Sequence, residues 1–254
     1  MTAIRALVFG ATGTGKTSLC NLLTDRTRPT DNGPLGVTSK SHSHAPFDFE
    51  GLKIELVDTV GLHESSFGTV PADKAIVQLV ELLTTAKEGF SLLIHVVRAT
   101  RITKEQEEDY DFFVNKMTER KVPVILVLTG CENEDPMSAW VDKNRGSFSR
   151  FLYKALVPTC LAKGGALESH FAPLRIQSKD AILNAIKNHA LPEPHRFYGE
   201  GTNTTFNEAL TRVWNQFVDW AKLPDKYRAQ VNESAYALLK RLGVSEAAAQ
   251  MALK

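Results

Sequence analysis

The fold of this chain is decided by the stretch Gly10-Ala11-Thr12-Gly13-Thr14-Gly15-Lys16-Thr17. An apolar run at residues 6–9 precedes it, and a helix-like stretch at residues 18–23 follows it. The spacing matches the pattern G-x-x-x-x-G-K-[ST], which binds phosphate when it joins a strand to a helix. In that setting, backbone N–H groups and the positive end of the helix face the phosphates. We therefore expect a loop that binds a nucleoside triphosphate.

Individual residues of this loop have expected roles. Lys16 would place its charge on the β and γ phosphates, which makes it a candidate catalytic residue as well as a ligand contact. The Thr17 hydroxyl would bind Mg²⁺. The expected nucleotide contacts of the loop and the helix start are Gly10, Thr12, Gly13, Thr14, Gly15, Lys16, Thr17 and Ser18.

Composition limits the classes of function. The chain has 254 residues, 43% of them hydrophobic, and a formal net charge of +1, so bulk charge does not indicate nucleic-acid binding. Its three cysteines lack metal-ligand spacing, which favours free thiols in a reducing compartment. The first residues lead directly into a strand, and the apolar run at 92–97 is too short to span a membrane. We expect a cytoplasmic protein without a transmembrane segment.

Strand-like and helix-like runs alternate along the first 190 residues, which predicts an α/β fold with a mostly parallel sheet. A hairpin turning at Glu50-Gly51 would supply one antiparallel edge strand. The predicted strands are 5–9, 45–49, 53–58, 91–97, 122–129 and 171–176. The predicted helices are 16–24, 72–87, 104–120, 136–163 with a break, and 179–189.

The C-terminal region has a different pattern. We predict a nucleotide-binding domain over residues 1–195 and an α-helical extension over residues 203–254. Helical spacing of apolar residues recurs on either side of Pro224, and Gly243 would end the second helix. The first helix carries an aromatic stripe that could pack on the core or on a partner, a choice that the sequence leaves open. The stripe consists of Phe206, Leu210, Val213, Trp214, Phe217 and Trp220.

A second motif, Asp58-Thr59-Val60-Gly61, follows the strand at 53–58. Asp58 would hold Mg²⁺, and the Gly61 N–H would contact the γ-phosphate. Thr38, in the polar segment between the two motifs, could complete the metal shell. Such loops become ordered only when the γ-phosphate is present, which is typical of a switch. His42 and His44 are expected to lie in a solvated loop rather than to bind a metal, since the sequence places no further ligands near them.

On the motifs at residues 10–17, 36–39 and 58–62, the first 190 residues resemble P-loop GTPases of the translation-factor-related class. Among these they are most similar to the immunity-associated GTPases, relatives of septins and chloroplast-import GTPases. The resemblance implies a six-stranded G domain, Mg²⁺ with GTP or GDP as ligands, and dimerisation across the nucleotide face. The effector protein is unknown.

The resemblance also implies a base-reading site. In small GTPases the strand corresponding to residues 122–128 ends in Asn/Thr-Lys-x-Asp, whereas this chain has Thr129-Gly130-Cys131-Glu132. Thr129 and Glu132 are therefore the expected base contacts, and the choice between guanine and adenine stays open. Ser178 and Lys179 resemble the Ser-Ala-Lys loop that supports the base, although Ser178 could equally cap a helix.

Hydrolysis depends on a positioned water. Many GTPases have glutamine after the glycine of the second motif, but here Leu62 follows Gly61, and His63 is the candidate for positioning the water. We therefore expect slow turnover of GTP to GDP and phosphate, stimulated by self-association or a partner. Two alternatives stay open: an ATP-dependent P-loop enzyme of the small-molecule kinase type, and a non-hydrolysing nucleotide-binding scaffold.

Overall fold

The computed structural model describes residues 3–25, 42–59, 72–100, 102–230 and 232–252. Within this part of the chain one sheet has the strand order β2-β4-β1-β5-β6-β7, with β3 also paired to β4. Because the short β2 and β3 both pair with β4, they share one edge, and the sheet has six strand positions. The strands are β1 (Ile4–Phe9), β2 (His42–Ser43), β3 (Phe47–Phe49), β4 (Leu52–Asp58), β5 (Leu92–Arg98), β6 (Val124–Thr129) and β7 (Tyr153–Pro158).

All strand pairs among the described residues are parallel except those of β2 and β3 with β4. The predicted hairpin is confirmed, since Glu50 and Gly51 both have positive φ, as the tight turns that match strand twist require. The fold class predicted from the sequence, a mostly parallel sheet with an antiparallel edge and flanking helices, is confirmed.

Helices cover both faces of the sheet and continue into the C-terminal region. A capping box formed by Thr103 and Gln106 starts α3, with side-chain and backbone hydrogen bonds in both directions. The helices are α1 (Lys16–Thr24), α2 (Ala72–Thr85), α3 (Lys104–Tyr110, continued by a π-helix at Asp111–Met117), α4 (Ala139–Asn144), α5 (Glu168–His189), α6 (Phe206–Trp220), α7 (Ala235–Arg241) and α8 (Glu246–Ala252).

Two sequence predictions are wrong. The predicted strand at 171–176 lies inside α5, and most of the predicted helix at 136–163 is not helical, since β7 lies there instead. Pro173 has no N–H to donate to a strand ladder, which disfavours the predicted strand. The run Tyr153–Pro158 is stabilised by parallel pairing with β6, a long-range contact that local helix propensity does not report.

The C-terminal helices pack on the sheet domain through the aromatic stripe of α6. Trp214 and Phe217 are fully buried in the same core cluster as α2 and the π-helix. Trp220 stacks on Phe112, with ring centroids 5.1 Å apart. The Trp214 indole N–H donates to the Tyr227 carbonyl over 2.7 Å. The choice that the sequence left open is therefore decided, because the stripe covers the core of its own chain.

The helices also bear on the expected absence of a membrane span. Within the described ranges, none of them has both the length and the apolar character that a membrane crossing demands.

Candidate nucleotide-binding site

The phosphate loop joins β1 to α1, which is the predicted strand–loop–helix setting. Gly10 leaves the strand with φ 140°, and a Cβ built on it would lie 2.2 Å from the Val96 carbonyl oxygen of β5. Gly15, at φ 101°, precedes the first residue of the helix. These two positions need glycine because an L side chain would be strained there, and at Gly10 would also collide with backbone.

Lys16 begins α1 and turns back across the loop. Its ammonium donates to the carbonyl oxygens of Gly10, over 2.7 Å, and Ala11, over 2.9 Å. The Thr14 hydroxyl also donates to the Ala11 carbonyl, over 2.9 Å. A buried positive charge is therefore held over the loop, next to the N-terminal end of the helix, where an anion is favoured. Thr12 and Gly13 form the tip of the loop, and Ser18 is half-buried in the first helical turn.

The second motif meets the loop because β4 lies beside β1 in parallel, with Asp58 opposite Val8. The hydroxyl of Thr17 lies 3.5 Å from Oδ2 of Asp58. Thr59 fixes the end of this strand, since both its N–H and its hydroxyl donate to the Val8 carbonyl, over 3.1 and 3.0 Å. Two oxygen ligands predicted for Mg²⁺ thus converge at the carboxyl edge of the sheet, and their chemistry suits that hard cation.

Thr129 lies at the end of β6 but is directed toward the phosphate loop. Its hydroxyl donates to the Thr14 carbonyl over 2.8 Å, and both residues are buried. Its methyl group lies against Gly15. The residue predicted to contact the base thus connects β6 to the phosphate loop.

Glu132 follows in the same loop, and its Oε2 is a buried oxygen that receives no hydrogen bond from the described part of the chain. Its carbonyl oxygen lies 3.4 Å from Nε2 of His170 on α5. The Cys131 N–H donates to the Thr159 carbonyl over 3.2 Å, which ties this loop to the one after β7. Burial raises the pKa of the thiols of Cys131 and Cys160, so both are protonated near neutral pH.

The predicted base-supporting loop at Ser178 and Lys179 is wrong. Both residues lie inside α5, because the segment expected to form a strand before them is helical. The Lys179 ammonium pairs with Asp25 at 2.6 Å. Ser178 is fully buried, and its hydroxyl accepts from the Cys160 N–H over 2.9 Å and donates to the Leu174 carbonyl over 2.7 Å.

The loop next to the base-reading segment is instead residues 159–164, after β7, which the sequence did not predict. Side chains of α5 hold its backbone: beyond Ser178, Arg175 donates to the Ala162 carbonyl over 2.7 Å, and Glu168 accepts from the Gly164 N–H. Glu168 and Arg175 also pair with each other, and this hydrogen bond lowers the pKa of Glu168. The signal in the sequence was Pro173, which argues against a strand at residues 171–176.

Thr38, Gly61 and His63 lie outside the described residues, as does Leu62. Their predicted roles at the γ-phosphate and the metal therefore stay predictions.

The fold and the site together define a class. A phosphate loop after β1, an aspartate at the end of the neighbouring parallel strand and an antiparallel edge beyond it form a P-loop nucleotide-binding domain of the G-domain type. Residues 5–130 match the family model described as 50S ribosome-binding GTPase, and this part of the chain is a GTPase domain of that family.

Known proteins are consistent with this assignment. Over 103 residues the chain is 34% identical to Immune-associated nucleotide-binding protein 7 of Arabidopsis thaliana, covering 40% of this chain and 32% of that protein. The matched stretch thus spans about a third of the relative's length. This confirms the resemblance to immunity-associated GTPases.

Two solved structures are similar in fold. Era, in complex with MgGDPNP and a segment of 16S ribosomal RNA, matches with a TM-score of 0.57 at 17% identity, over 80% of this chain and 61% of that chain. A dimerisation-deficient variant of Toc33 from Arabidopsis thaliana matches with a TM-score of 0.52 at 18% identity, over 77% of this chain and 88% of that chain. At these identities the likeness concerns the fold.

Proposed function

We propose that this protein binds GTP with Mg²⁺ and hydrolyses it slowly to GDP and phosphate, acting as a conformational or assembly switch. One observation carries the proposal: Thr17, which follows Lys16 in the phosphate loop, has its hydroxyl 3.5 Å from the carboxylate of Asp58. A charge for the phosphates and two oxygen ligands for a hard cation are thus adjacent.

In this proposal the loop amides and the Lys16 ammonium bind the β and γ phosphates. Lys16 would exchange its hydrogen bonds to Gly10 and Ala11 for bonds to phosphate oxygens. Thr17 and Asp58 would hold Mg²⁺, which when bound neutralises charge on the phosphates. A water oxygen forms a bond to the γ-phosphorus, the bond to the bridging oxygen breaks, and GDP leaves with inorganic phosphate, which keeps the protons of the water.

Glu132 supports a guanine rather than an adenine ligand. Guanine presents adjacent N–H donors on its Watson–Crick edge, and an ionised carboxylate only accepts hydrogen bonds. The buried Oε2 of Glu132 is an acceptor to which none of the described residues donates, in the loop next to the phosphate site. Leaving such an oxygen without a donor is unfavourable, so a guanine edge that supplies N–H groups would be stabilised there.

Slow turnover is proposed from Leu62, which stands where many GTPases have glutamine, with His63 next to it as the residue that would position water. The Toc33 fold neighbour is a dimerisation-deficient variant, so dimerisation is a property of that protein. We extend it to this chain as a nucleotide-dependent homodimer. An effector protein and a cytoplasmic location complete the proposal.

The test is a binding titration of the purified protein with GTP, GDP, ATP and ADP in the presence of Mg²⁺, together with hydrolysis rates at increasing protein concentration. We expect guanine nucleotides to bind more tightly, and the rate per chain to rise with concentration. Preference for ATP would favour the kinase-like alternative, and binding without turnover at any concentration would favour the scaffold.

A matched pair of lysine variants checks the phosphate site. Lys16→Ala should abolish tight triphosphate binding because it removes the buried charge over the loop. Lys179→Ala removes a lysine that pairs with Asp25 at the end of α1, and should bind GTP as the unmodified protein does. Full GTP affinity in Lys16→Ala would show that the phosphate site is wrongly placed.

A further inference from the structure

Three side chains of the types that can bind metals, from separate segments of the chain, lie close together at the carboxyl end of β4. Cys20, His44 and Asp58 each offer one ligand atom, and these atoms all lie within 4.8 Å of one another. The three residues are 0%, 1% and 2% exposed. The expectation that His44 lies in a solvated loop is therefore wrong.

The fold explains this convergence. His44 directly follows β2, which pairs antiparallel with the end of β4, so that His42 lies opposite Asp58. The His44 N–H donates to the Leu56 carbonyl over 2.8 Å, which keeps the residue against the sheet edge. Cys20 lies on α1 three residues after Thr17, so the two side chains are neighbours on one helix face. Asp58 is thus next to Thr17 on one side and to Cys20 and His44 on the other.

Together, thiolate, imidazole and carboxylate are ligands that zinc and cobalt accept, whereas Mg²⁺ takes oxygen ligands. Three protein ligands would leave a fourth position of a tetrahedral ion for water or another group. We propose that Cys20, His44 and Asp58 form a binding site for a divalent ion of the zinc type, adjacent to the site assigned to Mg²⁺.

A purely structural role would fit Cys20 alone, since it packs among the apolar residues between α1 and the sheet, as buried cysteines commonly do. The imidazole of His44 and the carboxylate of Asp58 are buried at the same point, so three different types of ligand atom lie together there. Ligand atoms within 4.8 Å can reach one ion by small rotations about the side-chain bonds, since metal–ligand distances are about 2.0–2.3 Å.

Sharing of Asp58 would give the ion a regulatory effect, and this part rests on the proposed function. One carboxylate cannot fully neutralise two divalent cations, so zinc should weaken binding of Mg-GDP by about tenfold, and Mg-GDP should weaken zinc by the same factor.

The experiment titrates Co²⁺, a spectroscopic substitute for Zn²⁺, into the nucleotide-free protein and records the thiolate-to-cobalt charge-transfer band. We expect a saturable band at one ion per chain that Zn²⁺ displaces. Cys20→Ala and His44→Ala should lose it. Cys160→Ala is the matched control, since Cys160 is equally buried but lies in the loop after β7, and this variant should retain the band.

The results separate the two proposals. Absence of a charge-transfer band in the unmodified protein would overturn the metal site, whether or not the variants fold. A band that persists in Cys20→Ala, with circular dichroism showing a folded chain, would do the same. Nucleotide affinity is measured separately on the unmodified protein, so a cobalt band without GTP binding would retain the metal site and reject the proposed GTPase function.

Discussion

Replacement of Thr129 by valine tests whether this residue contacts the base or holds the phosphate loop. Valine keeps the shape of threonine but removes the hydroxyl that donates to the Thr14 carbonyl over 2.8 Å. Thr14 is 7% and Thr129 is 6% exposed, so water does not replace the lost donor. An unpaired buried carbonyl destabilises the folded state by about 1–3 kcal/mol, and burial of the added methyl group stabilises it by at most about 0.8 kcal/mol. We expect the free energy of unfolding to fall by roughly 1–2 kcal/mol.

The same bond keeps the phosphate loop against β6, so its loss should weaken GTP and GDP by a similar factor, up to about tenfold for about 1.4 kcal/mol. The ratio of GTP to ATP affinity should not change, because the base is not involved. Urea denaturation and nucleotide titration measure the two quantities. Thr129→Ser keeps the hydroxyl and is the control.

If Thr129→Val left the free energy of unfolding unchanged but altered the ratio of GTP to ATP affinity, this reasoning would be refuted. Thr129 would then be a base contact. Unchanged stability and unchanged affinity would show that the hydrogen bond to Thr14 contributes nothing measurable.

Three further predictions follow from single contacts. Gly10→Ala should lose phosphate binding and fold poorly, because the new Cβ would lie 2.2 Å from the Val96 carbonyl; a well-folded variant with full GTP affinity would contradict this. Glu132→Gln should weaken GTP by about 1–3 kcal/mol but leave ATP binding unchanged, since an amide donor replaces one carboxylate oxygen; equal loss for both nucleotides would be contrary. Burial raises the pKa of Tyr198, which donates to the Leu83 carbonyl, to about 12 from 10.0. The protonated hydroxyl is favoured in the folded state, so this stabilisation should be complete below pH 10 and lost as pH rises toward 12. Urea denaturation across this pH range measures the free energy of unfolding, and Tyr198→Phe should lack the part of its decrease that comes from the hydroxyl.

Local chemistry made much of the fold predictable. The phosphate loop, the bounds of α1 and the hairpin at Glu50-Gly51 depend on residues close in sequence, whose backbone conformations or hydrogen-bonding groups favour one structure. The capping box at Thr103 is of the same kind.

The region between residues 136 and 179 was not predictable in this way. β7 is a half-buried edge strand whose pairing with β6 is a long-range contact, and α5 begins before Pro173, where local rules favour an interruption. The last strand is β7 and not residues 171–176. The loop after it therefore does not contain Ser178 and Lys179, which lie inside α5.

The sequence by itself determined the class of this protein and its phosphate site, because a glycine-rich loop between a strand and a helix is defined by consecutive residues. Only the tertiary structure decided that the aromatic stripe of α6 covers its own core, that Thr129 anchors the phosphate loop, and that Cys20, His44 and Asp58 meet at one point. Each of these depends on which segments the sheet order brings together, and contacts between distant segments leave no periodic signal in the sequence.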